Sequence, residues 1–81
     1  MRILWDEPKR LANIDKHGRD FAGLTMEFFA GALVRPTRDG RLQAIGRLEG
    51  EAVAVIFRPL GREAISVISM RDASRRERMA T

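Results

Sequence analysis

Three turn signals in the second half of the chain constrain the fold more than any other feature. They are Asp39-Gly40, Glu49-Gly50 and Pro59-Leu60-Gly61. Turns of this kind join neighbouring antiparallel strands, because Gly tolerates the positive φ that a tight turn requires. The segments between the turns are short and apolar, and they read ALV (32–34), RLQAIGRL (41–48), EAVAVIFR (51–58) and AISVISM (64–70). The pattern predicts four consecutive strands in an antiparallel meander.

The side-chain pattern of these segments predicts where each strand lies in the sheet. Pro36 places the end of the first strand at a sheet edge, since proline cannot donate to a strand ladder. The segment 64–70 is apolar on both faces apart from two serines, which is typical of a central strand. In the second strand, alternation puts four residues on one face: Leu42, Ala44, Gly46 and Leu48.

The remaining segments predict one further strand and three helices. Residues 2–6 (RILWD) form an apolar run, and Pro8 then suits the first turn of a helix that Gly18 ends. A second helix is predicted from Asp20 to Gly31, and a basic helix closes the chain with Ser74 and Glu77 at capping-box spacing. The order strand, two helices, four strands, helix indicates an α+β fold in a single domain, residues 1–81, with the helices covering one face of the sheet.

The composition excludes several classes of function. The chain has no cysteine, so it has no disulfide framework, no thiolate nucleophile and no zinc-finger spacing. One histidine and scattered carboxylates argue against a metal site, and nothing in the sequence calls for a cofactor. No apolar run approaches the length of a membrane span, and no signal-peptide core is visible, so a cytoplasmic protein is expected.

Arginine dominates the positive charge of the chain. Of the 15 basic residues only Lys9 and Lys16 are lysines, and the formal net charge is +4. Arginine forms planar, bidentate contacts with phosphate or carboxylate, so this bias favours an anionic partner. A coding bias with solvated arginines would give the same composition, and composition alone does not separate the two.

His17, the single histidine, is the first candidate for chemistry. At the carboxyl end of a helix its imidazolium is stabilised by the helix dipole, and it could simply cap free carbonyls there. Lys16 acts in the opposite direction, because like-charge repulsion favours neutral imidazole. The sequence leaves open whether His17 transfers protons or only caps the helix.

For two further groups of residues the sequence also allows either a role in binding or a purely structural one. Trp5 could stack on a base and Lys9 hold a phosphate, but a small core needs its one large aromatic residue, so Trp5 is expected in the core and Arg10 in solvent. In the tail, Arg71, Arg75 and Arg78 fall on one side of a continuous helix. They could converge on an anion, or they could pair with Glu77, Asp72 or solvent.

Three motifs, in order and over nearly the whole chain, resemble the BrnT family of type II toxin–antitoxin toxins. The first, WDE-x-K, is carried by Trp5, Asp6, Glu7 and Lys9. The second, N-x-x-K-H-G-x-x-F, is carried by Asn13, Lys16, His17, Gly18 and Phe21. The third, I-I-S-x-R-x-A-S-x-x-E, is carried by Val67, Ile68, Ser69, Arg71, Ala73, Ser74 and Glu77.

The resemblance implies a fold similar to RelE-type ribonucleases and a metal-independent ribonuclease activity that arrests translation. It also implies neutralisation by a BrnA-like antitoxin, a ribbon-helix-helix protein that binds operator DNA; this chain would meet the operator only through that antitoxin. RNA would be the substrate, and no membrane is involved.

With that resemblance, the candidate site residues fall into two groups. The catalytic candidates are His17 for proton transfer, Glu7 as a substitute base, and Arg71 and Arg75 for the charge that builds on the phosphorane. The candidates for binding RNA are Lys9, Lys16, Arg47, Arg76 and Arg78. The alternative is a non-catalytic basic module that binds a partner protein or nucleic acid, which is favoured by Ser66 and Met79, where relatives carry an arginine and a tyrosine.

Overall fold

One five-stranded sheet organises the protein, and the computed structural model describes residues 1–80. In chain order the strands are β1 (Arg2–Trp5), β2 (Leu33–Pro36), β3 (Leu42–Leu48), β4 (Glu51–Leu60) and β5 (Ala64–Asp72). Across the sheet their order is β1-β5-β4-β3-β2. The predicted meander is confirmed, since β2, β3, β4 and β5 pair antiparallel in sequence.

Three helices accompany the sheet, in the predicted positions along the chain. They are α1 (Glu7–His17), α2 (Met26–Gly31) and α3 (Arg75–Met79), with a 3₁₀ turn at Phe21–Gly23. The element order β-α-α-β-β-β-β-α is therefore confirmed. Within residues 1–80, no helix has both the length and the apolar character needed to cross a membrane.

The strand β1 lies at a sheet edge and runs parallel to β5. Its four residues pair with the first part of β5, from Arg2 beside Ala64 to Trp5 beside Val67. The strand β5 therefore has neighbours on both sides, which confirms the central position predicted from its apolar pattern. Because β1 is short, the second part of β5 has no strand on that side.

The helix predicted from Asp20 to Gly31 is wrong in one respect: it is two separate turns of helix. Asp20 caps the 3₁₀ turn by accepting a hydrogen bond from the backbone N–H of Ala22. Leu24 is extended, and the Thr25 hydroxyl then accepts from the backbone N–H of Phe28 to start α2. Two side-chain caps so close together restart the helix, because each stabilises a non-helical residue before a first turn.

The turn predicted at Pro59-Leu60-Gly61 begins later than expected. The strand β4 continues to Leu60, and only Gly61 adopts a positive φ, of 64°. Pro59 is tolerated because β3 begins opposite Phe57, so Pro59 has a strand neighbour only on the β5 side.

The main core lies between the sheet and the segment that carries the 3₁₀ turn and α2. Phe21 and Phe28 are almost fully buried there, and Trp5 packs against the same cluster, as expected from the sequence. Gly46 suits this face, because a Cβ at that position would lie 3.1 Å from the Phe28 ring and 3.2 Å from the Ala32 Cβ, closer than ordinary contact. The strand residues of the core are Ala44, Val53, Val55, Phe57, Ile65, Val67 and Met70.

Asn13 fastens α1 to the part of β5 that β1 leaves uncovered. Its Oδ1 accepts a hydrogen bond from the Met70 N–H at 3.1 Å, and its Nδ2 donates to the Met70 carbonyl at 2.8 Å. The same Nδ2 donates to the Arg19 carbonyl at 2.9 Å. The side-chain amide thus replaces a neighbouring strand for one residue and satisfies backbone groups that are buried.

Glu77 fastens α3 to the face of the sheet opposite the main core, so the prediction that all the helices cover one face is wrong. Its carboxylate accepts two hydrogen bonds from the Arg71 guanidinium, at 2.7 and 3.0 Å, and one from Gln43 Nε2 at 3.1 Å. It also accepts from the Ser74 N–H in a capping box, which was predicted from the spacing. Beneath α3 lies a second apolar cluster formed by Ile45, Ala52, Ala54 and Ala73.

Asn13→Leu should destabilise the protein by about 2 to 4 kcal/mol, since leucine has nearly the same size but leaves the Met70 N–H and carbonyl buried without partners. Urea unfolding measures the change. Asp15→Leu, on the exposed side of the same helix, is the matched control and should change the free energy of unfolding by less than about 0.5 kcal/mol. Equal effects of the two substitutions would contradict the role given to Asn13.

The free energy of unfolding should decrease in acid, because Glu77 becomes protonated. The Arg71 guanidinium beside it lowers the pKa of Glu77 from 4.5 to about 2. A depressed carboxylate pKa stabilises the folded state above the unfolded pKa, and that stabilisation is lost as the pH falls from about 4.5 toward 2. With half-exposed Arg71 screened by solvent, the loss should be about 1 to 2 kcal/mol.

The measurement is urea unfolding of the wild type and Glu77→Gln between about pH 3 and pH 6. Glu77→Gln should be less stable at the upper end of this range and should show a flatter dependence on pH. Glu63→Gln, an exposed carboxylate in the β4–β5 turn, is the control and should keep the slope of the wild type. A Glu77→Gln protein with an unchanged slope would show that Glu77 is not the titrating group.

Candidate active site

A cleft of about 260 Å³ lies where α1 meets the uncovered part of β5. The helix contributes Lys9, Ala12, Asn13, Lys16 and His17, and the strand contributes Ile68 and Ser69. The helix residues are spaced at i, i+3, i+4, i+7 and i+8, so they form one continuous stripe along α1. Three of the residues predicted from the sequence, Lys9, Lys16 and His17, are therefore brought together here.

A β-bulge shapes the strand side of this cleft. Ile56 of β4 pairs with Ser69 and the next residue, Phe57, pairs with Val67, so Ile68 has no partner across the ladder. A bulge bends the strand and redirects its side chains, and bulges recur beside functional sites. Ile68 is half-buried and turns toward α1, where it lines the cleft. Sequence reasoning gave no signal for Ile68 or Ser69 beyond their place in the third motif.

His17 occupies the last position of α1, as predicted. Gly18 follows with a φ of 68°, and its N–H donates to the Ile14 carbonyl at 2.8 Å. The backbone of Gly18 thus closes the helix, and the His17 ring forms no hydrogen bond within residues 1–80. The interpretation of His17 as a simple cap is therefore not what the structure contains, and its imidazole remains available in the cleft.

All the ionisable side chains that line the cleft are basic. Two lysines and the imidazole line it, and no carboxylate lies among its lining residues. Neither Lys9 nor Lys16 forms an ion pair within the described part of the chain. Two ammonium groups beside one open cleft give it a positive potential, which favours the binding of an anion.

Glu7, the predicted substitute base, lies outside this cleft. Its carboxylate accepts two hydrogen bonds from Arg10, at 2.7 and 2.8 Å, and one from the Trp5 indole at 3.1 Å. Arg10 extends the network to Asp20, which was not expected, since the sequence suggested a solvated Arg10. The guanidinium and the indole N–H lower the pKa of Glu7, so the group is a weak proton acceptor in this setting.

The expected convergence of Arg71, Arg75 and Arg78 on one helical face is wrong. Arg71 belongs to the strand β5, whereas Arg75 and Arg78 belong to α3. Its pairing with Glu77, one of the two alternatives that the sequence left open, holds its guanidinium and raises its pKa. Arg75 and Arg76 are exposed on α3.

A second cleft, of about 230 Å³, contains two more of the predicted cations. Arg47 and Arg78 line it together with Arg19, which the sequence analysis missed. Arg19 pairs with Asp72 at 2.6 Å and with Glu51 at 3.2 Å, joining the end of α1 to the end of β5 and the start of β4. Asp72 lies three residues beyond Ser69, so the two clefts are about 10 Å apart along β5.

The described residues hold no cluster suited to a metal ion. Within residues 1–80, no group of three or more His, Cys, Asp or Glu side chains converges. The groups gathered in the first cleft are instead two ammonium groups, an imidazole, an amide and a hydroxyl. Such a set can bind an oxyanion and exchange a proton with it.

Comparison with known proteins agrees with this architecture. Residues 5–77 match the family model described as the ribonuclease toxin BrnT of type II toxin–antitoxin systems. The 1.1 Å crystal structure of the Brucella abortus ribonuclease toxin BrnT is 60% identical in sequence, with a TM-score of 0.88. That likeness covers 93% of this chain and 99% of the Brucella chain, and no curated protein sequence matches. The chain therefore belongs to the BrnT family of ribonuclease toxins of type II toxin–antitoxin systems.

Proposed function

We propose that this toxin cleaves RNA without a metal ion, in the cleft between α1 and β5. The observation that carries the proposal is the cluster of Lys9, Lys16 and His17 around one cavity that no carboxylate lines. A single RNA phosphate fits the charge of this cavity, and RNA supplies its own nucleophile, the 2′-hydroxyl. The family assignment speaks against the alternative of a non-catalytic binding module.

In the proposed reaction the 2′-oxygen attacks the adjacent phosphorus, the bond from phosphorus to the 5′-oxygen breaks, and a 2′,3′-cyclic phosphate forms. One proton must leave the 2′-hydroxyl and one must reach the departing 5′-oxygen. Among the groups that line the cleft, the His17 imidazole is the one general-base candidate, because a ring nitrogen can accept a proton whereas an ammonium group can only donate one. His17 is therefore the proposed base, and a lysine ammonium protonates the leaving oxygen.

Lys9 and Lys16 take the further role of neutralising the charge that builds on the phosphorane. They lie two helical turns apart, about 10 Å along α1, so they can hold the cleavage site from opposite ends of the cleft. Electrostatic groups of this kind act most strongly in the transition state, where the negative charge is largest. The Asn13 side chain is saturated by backbone groups, so we give it a positioning role only.

The remaining arginines extend the proposed RNA path beyond the cleft. Arg47 and Arg78 line the second cleft, and Arg75 and Arg76 project from α3. A flexible RNA strand can reach both clefts, because they are about 10 Å apart along the same strand. Arg71 acts indirectly in this proposal. Its guanidinium donates two hydrogen bonds to Glu77, and this ion pair keeps α3 and its exposed arginines in place. Such an activity on translated RNA places the toxin in the cytoplasm.

By its family the toxin has an antitoxin partner, and we infer a BrnA-like ribbon-helix-helix protein encoded by the neighbouring gene. That antitoxin would bind the operator DNA and bring the toxin to it. An amphipathic or acidic segment of the antitoxin suits the +4 charge of the chain.

His17→Gln should lower the rate of RNA cleavage in EDTA by about 100-fold, because glutamine keeps a polar side chain but cannot accept the proton. The assay follows discrete fragments of a defined RNA and detects the 2′,3′-cyclic phosphate at their ends. Glu7→Gln is the control and should stay within about threefold of the wild-type rate, since Glu7 lies outside the cleft. A folded His17→Gln protein of full activity would exclude the catalytic role of His17.

Lys16→Gln should reduce kcat/KM by about 10- to 100-fold, with most of the loss in kcat, because the ammonium stabilises the transition state more than the bound substrate. Lys16→Arg should recover part of the rate, since it restores the charge. The control is Arg62→Gln, an exposed cation in the β4–β5 turn. If Lys16→Gln and Arg62→Gln had equally small effects that high salt removed, the lysine would act only as diffuse charge.

A further inference from the structure

The outer edge of β2 is the most exposed part of the sheet. All four residues of β2 are exposed, whereas Ile3, Leu4 and Trp5 of the opposite edge strand are half-buried. Leu33 and Val34 point to opposite faces, and each keeps 43% of its surface accessible. Edge strands with accessible apolar side chains on both faces are prone to pair with another strand.

The hydrogen-bond register shows which backbone groups β2 offers to a partner. The Thr37 N–H donates to the Arg41 carbonyl at 2.9 Å and so points toward β3. Because the direction alternates along an antiparallel strand, Arg35 and Leu33 also point toward β3, while Val34 and Pro36 point outward. The free edge therefore presents the N–H and carbonyl of Val34 and the carbonyl of Pro36. Proline is tolerated at position 36 because β3 requires no donor there.

The charge beside this edge is positive. Arg35, Arg38 and Arg41 fall within seven residues, and Asp39 is the single acid among them. Arg35 donates to Gln43 on the sheet, and the Arg41 Nε is shielded from solvent without an acceptor, the one such side-chain donor in residues 1–80. No carboxylate of the described residues pairs with Arg38 or Arg41, so the acidic side chains of a partner can pair with the outer nitrogens of these guanidinium groups.

We infer that the β2 edge is a docking site for an extended segment of the antitoxin, one that carries apolar residues on both faces and acidic residues beside them. The inference rests on the toxin–antitoxin assignment, which supplies a protein partner. A second copy of this chain fits poorly, because the same arginines would face one another across the junction. An RNA strand cannot continue a backbone ladder or cover Leu33 and Val34, whereas a β-strand does both.

The first test is amide hydrogen exchange of the free toxin and of its complex with the purified product of the neighbouring gene. The Val34 N–H points to solvent in the free protein, so its exchange should slow by at least about tenfold in the complex. The amide of Glu63, exposed in the β4–β5 turn, should be unchanged. Equal exchange of the Val34 amide in the two states would overturn the inference.

The second test uses substitutions at the same edge. Val34→Pro removes the outward N–H without removing a donor from the β2–β3 ladder, and it should weaken binding of that antitoxin by at least about tenfold. Leu33→Thr should weaken binding several-fold, while Leu60→Thr should stay within about twofold. Leu60 is the matched control, since it is 45% exposed but lies at the end of β4.

Two readouts separate the possible outcomes. RNA cleavage by free Val34→Pro should equal that of the wild type, which shows that the fold and the proposed active site are intact. A loss of antitoxin binding with normal cleavage supports the inference. Normal binding by Val34→Pro would overturn it, as would a β2 edge that is protected in the free toxin by self-association. An inactive wild type that still binds through β2 would contradict the proposed chemistry alone.

Discussion

The pairing of the Asn13 side chain with the backbone of Met70 is the interaction on which the site depends. The strand β1 covers only the first part of β5, so the Met70 N–H and carbonyl face α1 with no strand beside them. The Asn13 amide satisfies both groups, and its Nδ2 also donates to the Arg19 carbonyl, which holds the segment after the helix. The distance between α1 and β5 is thereby set at the point where the His17 cleft opens. A side chain one atom shorter, or one without both donor and acceptor, could not hold this spacing.

The arrangement of ion pairs divides the cations of the toxin into two classes. Arg10, Arg19 and Arg71 are held by carboxylates, and Arg19 connects residues far apart in the chain, since its partners are Glu51 and Asp72. The lysines of the cleft have no such partners in the described residues. Arginine suits the first class because its planar fork binds two oxygens at once. Lysine suits the second, because a compact ammonium group on a flexible stem can approach an anion from several directions.

The strand β5 takes part in three regions of the structure. Its first part carries β1, its bulge at Ile68 forms one wall of the cleft, and its end at Asp72 reaches the second cleft. The opposite end of the sheet is different in kind, since β2 is exposed and its outer backbone groups are free to pair. The proposed catalytic cleft and the proposed docking edge therefore lie toward opposite edges of one small sheet, so substitutions can test each without touching the other.

The sequence by itself determined the elements whose signals are local. Turn glycines, alternating apolar residues and capping residues predicted the strands β2 to β5, the end of α1 at Gly18 and the capping box of α3, because each depends on residues close in the chain. The family motifs also contain Asn13, Arg71 and Glu77, but they gave no signal for the contacts by which these side chains join α1 and α3 to the sheet.

Only the tertiary structure decided the contacts between distant residues. Position 13 meets position 70, Arg19 meets Asp72, and β1 lies parallel to β5, and none of these pairings leaves a periodic trace in the sequence. The same is true of the bulge at Ile68, which follows from the register of two strands. The cleft around His17 exists because these long-range contacts place one helix beside one strand. Local periodicity reports which face of an element is buried, whereas the path of the whole chain decides what that face meets.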